Sequence, residues 1–195
     1  MNSPARVVIL AEDMRHARFV RAYLRNRHPK LGPRDVFDAP MANGSCAGEQ
    51  WVREHYAEQV LAHLIRRIRR PNESRPERWL IVVIDADTRT VQDRVNELQR
   101  RITESEDERV RKFRVEENNV ARLIPKRSIE TWILHLNGET IDEDTPYKHQ
   151  HRVWDRLIPT AATELHGWVR SGEELPDRCI PSLKHGIGEL RRLTT

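Results

Sequence analysis

Two short runs of consecutive apolar residues stand out from an otherwise polar chain. One is Val7-Val8-Ile9-Leu10 within Arg6–Ala11, the other Leu80-Ile81-Val82-Val83-Ile84 within Trp79–Ile84. Continuous rather than alternating apolar residues predict strands covered on both faces, as in a parallel sheet. Asp35–Ala39 and Asn119–Ile124 are further, weaker strand candidates, the second ending at Pro125. Between the strands the apolar spacing becomes helical. Ala17, Val20 and Leu24, with Phe19 and Tyr23 beside them, predict a helix over about Met14–Asn26. Val52, Tyr56, Val60, Leu64 and Ile68, widened by Leu61 and Ile65, predict a long helix over about Glu49–Arg69. Val91, Val95, Leu98 and Ile102 predict a third, capped by Thr88 or Thr90. Ile129, Trp132, Ile133 and Leu136 share one face of a fourth, Ser128–Leu136.

Strand and helix thus alternate, which predicts an α/β fold with a parallel sheet and right-handed crossovers. Pro29 and Pro33 bracket a break, Pro40–Gly48 has loop composition, and Pro71–Pro76 is a polar connector. Glu104–Glu117 is so charged that it is expected to be exposed. The pattern changes after Leu136. An acidic loop, Glu139–Asp144, precedes helical pieces near Val153–Leu157, Ala161–Val169 and Ser182–Leu193. The expected organisation is an α/β domain over 1–136 and a helical extension over 137–195, packed on the core or on a partner. The five tryptophans fall mostly in apolar stripes and read as core.

Composition bounds the function classes. The chain has 195 residues, 37% hydrophobic and 33% charged, with the apolar residues clustered enough to build a core. Its apolar runs are too short to span a bilayer, and Met1–Pro4 does not open a signal peptide, so a cytoplasmic protein without a membrane partner is expected. Cys46 and Cys179 are far apart and read as free thiols. The net charge of +4 is a weak pointer to a polyanionic partner. Arg66, Arg67, Arg69 and Arg70 read first as a solvated helix end that complements the helix dipole.

The chemistry lies at strand ends, because ligands of open parallel sheets bind outside the carboxyl ends of the strands. Glu12 and Asp13 follow the first strand, Asp85 and Asp87 the central one, and Glu130 comes just past the last. In an extended segment Asp85 and Asp87 would point to one side. Two close carboxylates repel, and a divalent cation relieves them. Oxygen ligands suit magnesium, manganese or calcium rather than zinc. The plain alternative is that Asp85 caps a helix and Asp87 is solvated. Glu12, at the end of an adjacent parallel strand, would stand beside Asp85. With metal ions between the acids, a phosphodiester is the natural substrate. Lys126 and Arg127 near Glu130 could neutralise transition-state charge, and read equally as helix-entry surface. Ser45 in the Pro40–Gly48 loop is a candidate phosphate contact, although a surface connector is the simpler reading. Lys148, with His149 and His151, is a candidate nucleic-acid contact that also reads as incidental surface.

These acids resemble the pattern of the Toprim domain shared by topoisomerases, primases and the overcoming-lysogenisation-defect (OLD) nucleases. That pattern has a Glu after the first strand, matched by Glu12, and an Asp-x-Asp after a later one, matched by Asp85 and Asp87. The OLD-like branch adds a further Glu, matched by Glu130. Leu123–Trp132, with Ser128 ahead of Glu130, is similar to the Ser-x-Glu stretch of OLD-like nucleases and of small Toprim-like proteins encoded beside ATPases in bacterial defence loci. The resemblance covers residues 6–136. It implies a Rossmann-like fold and a Mg2+- or Mn2+-dependent nuclease acting on DNA or RNA with an ATPase partner. A homo-oligomer is left open. Glu12, Asp85, Asp87 and Glu130 would be metal ligands and, with Lys126, catalytic. Ser45, Arg89, Arg127, Ser128 and Lys148 would contact nucleic acid or phosphate. Three positions depart from the pattern. Asp13 replaces the usual Gly, His16 stands where OLD-like members carry an acid, and Arg89 takes the place of a third Asp. The departures keep open a catalytically weak Toprim-like binding module. Separately, Glu12-Asp13 after strand one, Asp85 after a later strand and Lys126 near another mimic a receiver-like phosphoacceptor. The 72 positions from Asp13 to Asp85 are long for a compact receiver.

Overall fold

The computed structural model describes residues 7–32, 35–39, 48–68, 78–150 and 153–193. Four parallel strands form one sheet: β1 (Val7–Ala11), β2 (Val36–Asp38), β3 (Trp79–Val83) and β4 (Val120–Leu123), in the order β2-β1-β3-β4. The helices are α1 (Met14–Arg27), α2 (Gly48–Ile68), α3 (Val91–Thr103), the short α4 (Glu108–Arg111), α5 (Ile129–Leu136), α6 (Trp154–Ser171) and α7 (Pro181–Arg192). This is the predicted α/β class, a Rossmann-like parallel sheet flanked by helices.

The apolar runs explain the layering. Alternate residues of each strand face opposite ways. Val7, Ile9, Trp79, Ile81, Val83, Ala121 and Leu123 join the core beneath α1, α5, α6 and α7. Val8, Leu10, Leu80, Val82 and Val120 join a second core beneath α2, α3 and α4. Every residue of β1, β3 and β4 is buried. The exposed Phe37 makes β2 the weaker edge.

One topological fact positions the site. From β1 the chain crosses by α1, on one face, to β2 on the outside. From β3 it crosses by α3, on the other face, to β4 on the opposite side. The loops after β1 and β3 therefore part company and leave a crevice between adjacent strands. Such a switch point is where open α/β sheets bind ligands.

Two expectations are corrected. The charged stretch Glu104–Glu117 is not simply exposed, because Val110, Phe113 and Val115 plug the α2/α3 side of the core. The pieces Val153–Leu157 and Ala161–Val169 belong to one helix, α6, that runs through Pro159. A proline in the second turn removes only one helical hydrogen bond, and Ile158, Ala161, Ala162, Leu165 and Val169 give the helix a continuous buried face.

The C-terminal segment covers the sheet as one of its layers. Its last helix, α7, also seals the β4 edge. The Arg122 backbone N–H donates to the Glu189 carboxylate at 2.8 Å. Arg192 donates to the carbonyls of Val120 at 2.5 Å and Asn118 at 2.9 Å. Side chains thus satisfy edge groups that would otherwise offer a template for strand pairing. Among the described residues, no helix is long and apolar enough to cross a membrane.

Candidate metal centre

Three buried side chains from two strand ends and one helix converge in the crevice. Glu12 is the first residue beyond β1, Asp85 lies two beyond β3, and His16 is in the first turn of α1. They are 8%, 1% and 1% exposed. One ligand atom from each lies within 4.8 Å of the others. Ligand atoms about 2.1 Å from one octahedral ion would be ~3–4.2 Å apart, so this group can hold a metal ion.

Local sequence explains the arrangement. The Glu12 backbone N–H donates to the Val83 carbonyl at 3.1 Å, continuing the β1–β3 pairing one step past the strand. Its carboxylate accepts from the Asp85 backbone N–H at 3.1 Å. Glu12 is therefore held by the loop that carries its neighbour acid. Asp13 caps α1 and accepts from the backbone N–H groups of Arg15 and His16. The same Asp13 oxygen receives His16 Nδ1 at 2.8 Å. A carboxylate only accepts, so Nδ1 carries the hydrogen. Nε2 is thereby turned towards Asp85 Oδ1, 2.9 Å away. A carboxylate that orients an imidazole through its other nitrogen is the usual support behind a ligating histidine.

The electrostatics match a site that holds positive charge. Burial, then the Asp85 carboxylate, pushes the Glu12 carboxyl up to about 7. Burial alone would depress His16. The neighbouring Asp85 and Asp13 outweigh it and push the imidazole up to about 10. Burial opposes ionisation of Asp13 too, but the His16 contacts hold that carboxyl well below its ordinary value.

The other predicted residues are placed as follows. Asp87 is two residues from Asp85, but the segment is a turn and not extended. Its φ of 55° lies in the left-handed region, so the expectation that the two carboxylates share one side of a strand is corrected. Asp87 instead lies beside Glu49, in the first turn of α2. Burial, Asp85 and Glu49 all raise the Asp87 carboxyl. Burial would raise Glu49 too, but Arg94 overrides it and lowers the group. Glu130 is buried in an ion pair with Arg15, whose guanidinium lies 5.3 Å over the Trp154 ring. It is not one of the three converging groups. Lys126 Nζ donates to the Arg89 carbonyl at 2.8 Å and pairs with Asp144 at 3.2 Å. Arg89 is exposed and pairs with Glu97 at 2.9 Å. Ser128 precedes α5 as its N-cap residue, buried, with a hydroxyl that has no partner among the described residues. Arg127 is half-buried and Lys148 exposed. Ser45, Cys46 and His151 lie outside the described residues.

In the sequence pattern His16 stands only as a departure, and neither Glu49 nor Arg94 is marked. A signal for His16 existed. It lies four positions before Val20 on the buried face of α1, directly behind the Asp13 cap. No family model, no curated protein and no solved structure matches this chain.

A pH dependence follows from the same groups. His16 has its folded value raised from 6.5 to about 10, so its contribution is complete below pH 6.5 and lost as the pH climbs to about 10. Glu12 is raised from 4.5 to about 7, so its ionisation in the fold costs stability between those values. Both act in one direction. Chelator-treated protein should melt at progressively lower temperature between pH 6 and pH 9. A divalent ion competes with these protons, so its protection should grow as pH rises. Thermal melts with EDTA and with Mn2+ at pH 6 and pH 8 check this. A metal-free Tm that rises over the interval would contradict it.

Proposed function

We propose that this chain is a metal-dependent phosphodiesterase acting on nucleic acid, with its ion held by Glu12, His16 and Asp85. The observation that carries this reading is the convergence of those three buried groups at the switch point of the sheet. One imidazole with two carboxylates suits Mn2+ better than Mg2+, because imidazole favours transition metals. A bound divalent ion would supply Lewis acidity towards a phosphoryl oxygen and a more acidic water. The chain's own part is positional. Asp13 fixes the His16 ring, and the Asp85 backbone N–H fixes Glu12. Arg127, Ser128, Arg89 and Lys148 belong to the reading as contacts for the phosphate backbone, in keeping with the net charge of +4. The Toprim and OLD-like resemblance of Glu12, Asp85-Ala86-Asp87 and Leu123–Trp132 extends the proposal to a defence nuclease working with an ATPase partner.

The full chain incubated with plasmid DNA or RNA should cleave one of them with Mn2+ and less well with Mg2+. Asp85→Ala should abolish cleavage. Activity that persists in Asp85→Ala, or in EDTA, would assign it to something else. A second reading has its own observation. His16 and Asp85 are each only 1% exposed, which favours a metal-holding module that binds a partner without hydrolysing it. Tight Mn2+ binding with no cleavage of either nucleic acid would select that reading.

A further inference from the structure

Arg94 is the most unusual side chain near the centre. It is 0% exposed, on α3, where it shares the buried face with Leu98, Ile102 and the carboxylate Glu97. Burying a guanidinium is costly unless it is closely paired. A leucine would fill the same face without that cost, so the charge must serve its contacts. Three of these are specific. Nε donates to the Asp85 carbonyl at 3.0 Å. Nη1 reaches Glu97 at 2.6 Å and Glu49 at 2.7 Å. Glu49 in turn lies beside Asp87.

Arg94 therefore ties the start of Asp85-Ala86-Asp87 to the first turn of α2. It holds the backbone of Asp85 directly and reaches α2 through Glu49. The turn from Asp85 to Asp87 needs holding, because Asp87 adopts a left-handed φ that an L-residue seldom takes. Glu97 anchors the guanidinium from the other side. Arg53 Nε pairs with Glu97 at 2.5 Å and Arg89 Nη1 with the same carboxylate at 2.9 Å. Among the described residues, Arg94 Nη2 is buried with no hydrogen-bond partner.

We infer that Arg94 is the positioning residue of this centre, clamping the Asp85–Asp87 turn through the Asp85 carbonyl and Glu49 so that the Asp85 carboxylate meets His16 and Glu12. The inference rests on the reading of Glu12, His16 and Asp85 as a metal site. A planar fork makes these contacts together, whereas a lysine ammonium is a single point and cannot span them.

The test uses the full chain, Mn2+ alone as probe, and Arg94→Lys. Mn2+ affinity should fall about 10- to 100-fold, the usual loss when a ligand's support is removed. Backbone amides from Ala86 to Arg89 should exchange faster without metal, while the β1–β3 ladder keeps its protection. The double variant Arg94→Met/Glu97→Met removes both charges while keeping the volume. It should repeat both effects if Arg94→Lys folds poorly. Wild-type affinity and wild-type exchange in the variants overturn the inference. So does an affinity loss that comes only with lost protection throughout β1 and β3, since Arg94 would then be ordinary core. If the wild-type chain binds no Mn2+, the metal reading fails by itself. Exchange at Ala86–Arg89 still decides the clamp: faster in Arg94→Lys supports it, unchanged overturns it.

Discussion

Asp85→Asn is expected to weaken Mn2+ binding by more than the ~100-fold upper range for losing a supporting group, because under the proposed function it removes a ligand outright. Asn is nearly isosteric, so packing at this 1%-exposed position is kept. The negative charge is lost, and an amide NH2 can be turned towards His16 Nε2, where an acceptor stood 2.9 Å away. Two further changes follow. Asp85 is the main influence raising His16 against burial, so the imidazole should titrate well below about 10 in the variant. Asp85 is also the largest neighbour raising Glu12, so that carboxyl should move down from about 7. Calorimetric titration with Mn2+ and NMR titration of the His16 ring read these effects separately. Asp87→Asn is the internal control. Its carboxyl faces Glu49, so its effect on Mn2+ affinity should be smaller. Equal affinity in wild type and Asp85→Asn would remove Asp85 from the site.

Trp132→Ala should cost ~3–5 kcal/mol of stability, the range for deleting a large buried aromatic. Trp132 is fully buried on α5, and its indole N–H donates to Ser182 Oγ at 2.7 Å. Ser182 also bonds Glu143, so the ring connects α5, α7 and the acidic loop before α6. Gly186 of α7 has no room for a side chain, since a Cβ there would overlap the six-membered ring. Gly186→Ala should therefore destabilise by ~1–3 kcal/mol through overpacking, despite the better helix propensity of alanine. Urea midpoints measure both. A loss below about 1 kcal/mol for Trp132→Ala would mean that α7 does not depend on this contact. A large loss should also loosen the β4 edge, because Glu189 and Arg192 reach it from the same helix.

The charge pattern misled where spacing alone was informative. Glu104–Glu117 contains so many charges that they mask its three apolar residues, yet Val110, Phe113 and Val115 are inside. The i, i+2 spacing alone predicts Asp85 and Asp87 as an extended pair. A turn starts at Asp87, and its positive φ sends the second carboxyl to α2. Glu130 stands just past a strand, as expected of a ligand, but Arg15 of α1 comes to meet it. None of these outcomes follows from a residue's own neighbours in sequence.

What the amino-acid order determines here is periodicity and punctuation. Runs of β-branched and aliphatic residues make strands buried on both faces. Four-residue spacing makes the helices that cover them, and acids at strand ends mark the carboxyl edge. Those properties are local, since they depend on backbone geometry and on which side chains must leave water. Strand order is not local. Only the tertiary structure decides that β1 and β3 are neighbours and that their connections leave on opposite faces. That juxtaposition brings Glu12 to Asp85 across 73 positions of chain. It also turns His16, by sequence a mere departure from an acidic pattern, into the third member of the centre. The physical reason is that carboxylates and an imidazole buried together stabilise one another only at hydrogen-bonding distance, and the packing of α1 on the sheet sets that distance.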